Sequence, residues 1–119
     1  MPDPLPIYDA TTAEWERTVG PVTPDLPLLQ TETTEVSPGG FQGCPEPAQG
    51  TLTGCSRWDD TTNTYRIEVL ECRTDANEIL AHEWCHVLIW LAAAGQDADP
   101  GHTRSDVWGV VCADSWEAM

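Results

Sequence analysis

Between Asp75 and Gly95 the chain leaves almost no polar face for a helix. Ile79, Leu80, Trp84, Val87, Leu88, Ile89, Trp90 and Leu91 crowd nearly every side of it. A helix apolar nearly all round belongs inside a core, with other elements packed about it. The polar exceptions are His82, Glu83 and His86, in the run His82-Glu83-Trp84-Cys85-His86. Such groups need partners, because burying them unpaired costs free energy. Asp75 is the expected N-cap, Glu78 completes a capping box with it, and Gly95 ends the helix as the C′ residue.

The spacing of the exceptions supplies a partner. Helix positions four apart lie one above the other, so His82 and His86 present two imidazoles to a single ion. Glu83, one residue round, reaches a water at that ion. Only a third ligand is missing. The chain has three histidines in all, and the third, His102, follows the loop after the helix. Fifteen residues separate His86 from His102. Pro100-Gly101 supplies a turn that folds the loop back. Asp97, Asp99 and Asp106 compete for the third place, and Asp106, at the start of the last helix, is the serious alternative. The reading is therefore one ion held by His82, His86 and His102, with Asp106 as the alternative ligand and Glu83 as the catalytic base.

Composition sets the frame. At 119 residues the chain is one domain, and 40% hydrophobic content with six tryptophans favours a folded globule. Twenty acids stand against five bases, all of them arginine, for a net charge of −15. Such a surface repels phosphate backbones and anionic lipids, so neither nucleic acid nor membrane is an expected partner. Met1-Pro2-Asp3-Pro4 has no basic leader or apolar stretch, so no signal peptide is visible in this sequence. Five cysteines favour an oxidising compartment, secreted or periplasmic, with the cytoplasm as the alternative. Cys44 and Cys55 make the expected local disulfide, and Cys72 and Cys112 the second pair. Cys85, mid-helix, is expected as a buried free thiol.

Residues 1–10, with three prolines, are expected to be extended or frayed. Thr11 or Thr12 caps a short helix that reaches Val19 and stops at Gly20-Pro21. After an extended, proline-set connection, Leu28 to Val36 suits a strand. A Pro/Gly-dense loop over 37–50 leads to a hairpin, with strands over 51–58 and 64–71 around the turn Asp59 to Asn63. Tyr65, Ile67 and Val69 share one face of the second strand, Arg66 and Glu68 the other. Ser105 caps a last helix carrying Val107, Trp108, Val111 and Cys112. The expected fold is α+β, an antiparallel or mixed sheet packed on the buried helix at about 75–95, with a C-terminal helix, all within one domain over 1–119.

His82-Glu83-Trp84-Cys85-His86 followed by Trp90, and then Gly101-His102 leading into Trp108, resembles the zincin metallopeptidases and, within them, the SprT-like branch. The likeness spans about residues 75–110. It implies a small zincin-like domain with one Zn2+ per chain on His82, His86 and His102. It also implies hydrolysis of a peptide or protein substrate, with Glu83 as general base. Tyr65 or Arg104 would assist the oxyanion, and an extended substrate would add to the open edge of the hairpin sheet. The chain departs from the branch in its acidity and in Thr103, where a glycine commonly follows the third histidine, so a link to DNA is not carried over. The alternative function is a non-catalytic, zinc-stabilised protein-binding module.

Overall fold

The computed structural model describes residues 3–21, 30–42, 44, 52–93, 96–99, 102–108 and 111–114, without the side chains of Ser105, Asp106, Ala113 and Asp114. The first helix, α1, spans Leu5–Thr18. This corrects the extended N-terminus expected from the prolines. Pro4 and Pro6 fall at the helix start, where a missing N–H costs nothing and the fixed φ is already helical. Asp3 Oδ1 accepts the Leu5 N–H at 3.1 Å, and the Pro4 carbonyl accepts the Tyr8 N–H at 3.0 Å. Thr11 and Thr12, expected as caps, therefore sit inside the helix. Thr11 turns its hydroxyl onto the Ile7 carbonyl at 2.8 Å. Ile7, Tyr8, Thr11 and Trp15 form the buried stripe.

Three strands follow: β1 Gln30–Val36, β2 Gly54–Asp59 and β3 Thr64–Leu70. The order is β1-β3-β2, with β1 parallel and β2 antiparallel to β3, so the sheet is mixed. The hairpin turn is closed by Asp59, whose Oδ1 accepts the Thr61 N–H at 3.0 Å, and by Asn63 at φ 52°. Asn tolerates that left-handed conformation better than most residues. Tyr65, Ile67 and Val69 are almost fully buried against the helices. On the opposite face Arg66 pairs with Asp59 at 3.0 Å and Glu32 at 3.1 Å. Glu68, expected on a solvent side, is instead buried, its carboxylate accepting the Gln42 N–H at 3.1 and 3.2 Å.

The long helix, α2, spans Ala76–Ala92 and is the centre of the molecule. One side packs with Ile7, Tyr8 and the sheet residues Tyr65, Ile67 and Val69. The other packs Cys85, Leu88 and Ile89 against Trp15, Val107, Val111 and Cys112. That double engagement is why the segment carries so few polar residues. Asp75 is the N-cap but makes no side-chain capping bond, and the expected capping box is absent. Both of its carboxylate oxygens are taken by Arg73 at 2.8 Å. The helix gives way at Ala93, and Gly95 lies outside the described residues. The expected last helix comes as two short pieces, α3 Ser105–Trp108 and α4 Val111–Asp114. Its first turn closes on the Arg104 carbonyl, one residue before the expected Ser105 cap.

The Cys44–Cys55 disulfide is present as expected. The second is Cys85–Cys112, and Cys72 is free and exposed in the turn between β3 and α2. Cys85 and Cys112 meet because both face the cluster between α2 and α4. Cys85 is therefore not a free thiol, and the Cys72–Cys112 pairing is replaced.

Candidate metal centre

The α2 backbone places His82 and His86 on one face, with ring centroids 5.2 Å apart. The loop between α2 and α3 returns His102 to the same point, 4.9 Å from each of the other rings. Among the described residues these three form a group able to hold a metal ion, each offering a ring nitrogen within 4.8 Å of the others. His82 Nε2 and His102 Nε2 stand 3.0 Å apart. His86 Nδ1 lies 2.7 Å from the Ala98 carbonyl, which as an acceptor fixes the proton on Nδ1 and frees Nε2. Burial, and then the neighbouring His86 and His102, push the His82 imidazolium down to about 4. Burial likewise lowers His86, against the pull of its bond to Ala98. Neutral imidazoles are the form a metal binds.

Glu83 is 4% exposed, and among the described residues its Oε2 has no hydrogen-bond partner. Burial alone pushes its carboxyl up to about 8. A bound cation nearby would act in the opposite sense, favouring the carboxylate. Glu83 and His82 line one cleft of about 270 Å3 with Thr53 and Gly54 of the β2 edge and Glu78 of α2. The strand approaches the helix closely at this point. A Cβ at Gly54 would come within 2.7 Å of Ile79 Cγ2 and 3.3 Å of Glu83 Cγ, so only glycine fits without a shift. A larger hollow of about 460 Å3 lies on the opposite face of the sheet, between Arg57, Arg66 and Glu68, and holds none of the histidines.

Four of the competing or assisting residues are engaged elsewhere. Asp97 Oδ1 accepts the Asp99 N–H at 2.8 Å, and the Asp99 carboxylate is engaged by three donors of its own loop and by the Trp108 indole of α3. Tyr65 is 1% exposed and packs edge-on to Trp90, inside the core rather than in the cleft. Arg104 lies over the Trp15 ring, 5.6 Å from its centroid. The side chain of Asp106 lies outside the described residues.

Two contributions were not read from the sequence. The Trp108 ring sits 4.7, 4.6 and 4.6 Å from the rings of His82, His86 and His102, as a floor common to all three. The Ala98 carbonyl that orients His86 is a backbone group, and no side-chain pattern announces it. Asp97 did carry a signal, since a carboxylate that accepts the N–H two residues on is an Asx-turn, whereas the partners of Asp99 at Thr103, Arg104 and Trp108 follow no such local rule. No family model, no curated protein and no solved structure matches this chain.

Proposed function

We propose that the protein is a small zinc-dependent peptidase acting on extended peptide segments. The observation that carries this reading is Glu83: a buried carboxylate with an oxygen unpartnered among the described residues, one residue from His82 and lining the same cleft. A buried acid left unsatisfied is costly, and such groups gather at sites where they act on something absent from the resting protein. Among the described residues the group comprises three imidazole donors, a set that suits zinc and leaves a fourth position open, the arrangement of catalytic rather than closed structural sites. His82, His86 and His102 would hold the ion. When bound, zinc supplies Lewis-acid polarisation of a carbonyl and makes water acidic near neutral pH.

Glu83 takes the proton of the attacking water as that oxygen joins the peptide carbonyl carbon. It then delivers the same proton to the departing amine nitrogen as the C–N bond breaks, and ends the cycle ionised. The substrate backbone adds to β2, the outer strand of the sheet beside the cleft, through main-chain hydrogen bonds. Gly54, without a side chain, lets the start of β2 lie close against Ile79 and Glu83.

The test is cleavage of an unfolded protein substrate before and after dialysis against a zinc chelator. Cleavage should vanish on chelation and return with one equivalent of zinc per chain. Cleavage that survives chelation, or a zinc-loaded protein that cuts nothing, would count against a peptidase. The second outcome would instead favour a zinc-stabilised binding domain.

A further inference from the structure

The loop that delivers His102 meets α2 where the Ala98 carbonyl faces His86 Nδ1 at 2.7 Å. It is built around one carboxylate. Asp99 is 5% exposed, although it sits in a connecting loop of a strongly acidic chain. Its Oδ1 accepts the Thr103 N–H at 3.0 Å and the Thr103 hydroxyl at 2.7 Å. Its Oδ2 accepts the Arg104 N–H at 2.9 Å and the Trp108 indole N–H at 2.8 Å. A carboxylate has about four lone-pair sites, and here all are used. The Asp99 backbone carbonyl takes the His102 N–H at 3.0 Å as well.

The backbone of this loop is not relaxed. Asp99 has φ 56° and His102 φ 54°, both in the left-handed region that side chains other than glycine rarely enter. Such residues persist where surrounding bonds over-determine them, and they gather at ligand clamps. Here the over-determination comes from Asp99, which bonds both residues that follow His102 and the ring that floors the three histidines.

We infer that Asp99 is the positioning residue of the metal centre, fixing His102 and the Trp108 floor in one arrangement through its four accepted hydrogen bonds. The inference rests on the three-histidine group being a metal site, and it assigns Asp99 a role without contact with the ion. One carboxylate sets both the backbone that presents the third imidazole and the ring beneath all three. Asp99→Asn keeps the size but turns an NH2 group toward donors, so two of the bonds become repulsive contacts.

The experiment uses the full chain and zinc itself. The zinc dissociation constant is measured by competition with a chelator for wild type, Asp99→Asn and His102→Ala, beside the melting temperature of each metal-free protein. Cobalt(II) spectra of the same three report coordination geometry. Asp99→Asn should bind zinc roughly 10- to 100-fold more weakly, the usual effect of losing an outer partner of a ligand. Its cobalt spectrum should move toward that of His102→Ala, a change that general loosening of the fold does not produce. A folded Asp99→Asn with wild-type zinc affinity overturns the inference. So does weaker binding with an unchanged cobalt spectrum. If Asp99→Asn does not fold, Trp108→Phe removes one donor and keeps an aromatic floor. A smaller loss in the same direction then supports the role, and wild-type affinity overturns it. A wild-type protein that takes up no zinc removes the metal reading itself, which is a separate failure.

Discussion

Glu83→Gln should bind zinc as the wild type does and lose peptide hydrolysis by about 10²- to 10⁴-fold, the usual contribution of a general base. The amide has nearly the volume of the acid, which matters where the side chain is 4% exposed and β2 approaches it closely at Gly54. The fold is therefore kept while the proton acceptor is removed. Among the described residues Glu83 makes no bond through Oε2 that its loss would break. Parallel measurements of zinc content and of cleavage rate check this. A variant that keeps both zinc and its rate would refute the role of Glu83. A variant that loses both would show that Glu83 serves the binding of the ion and not the proton transfer.

Removing the Cys85–Cys112 bridge should have the largest effect on stability. The bridge closes a loop with a sequence separation of 27, which in the chain-entropy account stabilises by roughly 3–4 kcal/mol. For a chain of this size the loss corresponds to a fall in melting temperature on the order of 10 °C. The enclosed segment carries His86, the Asp99 loop, His102 and Trp108, so the double variant Cys85→Ala/Cys112→Ala should also bind zinc more weakly. The Cys44–Cys55 bridge, with a separation of 11, holds the loop on the far face of the sheet. Cys44→Ala/Cys55→Ala should lower the melting temperature less and leave zinc affinity unchanged. Thermal melts and zinc titrations of both double variants decide this. Equal loss of zinc affinity in the two would sever the link between the Cys85–Cys112 bridge and the site.

What was legible in the sequence follows from how local each signal is. The buried helix was plain because Ile79 to Leu91 shows one kind of side chain on nearly all sides, and only a core does that. The hairpin was plain because Asp59 to Asn63 is turn chemistry between two strand-like runs. The candidate ligands His82 and His86 on α2 needed only helical spacing. The start of α1 was not legible, because Pro4 and Pro6 read as breakers until they are known to lie in the first turn, where proline is tolerated. The capping box failed for a similar reason, since Arg73 competes for Asp75 and no spacing rule weighs the two partners. Cysteine pairing was half legible. Cys44 and Cys55 are close in sequence, whereas Cys85 meets Cys112 only because both turn toward Trp15, Leu88 and Val111. The Asp99 and Trp108 arrangement around His102 depends on a folded loop, and neither periodicity nor composition encodes it.

The central claim is that His82, His86 and His102 form one metal centre. The direct measurement is the zinc content of the purified protein by elemental analysis, beside that of His102→Ala. One zinc per chain, held tightly in the wild type and weakly in the variant, is the predicted result. No zinc in the wild type after incubation with excess metal would contradict it.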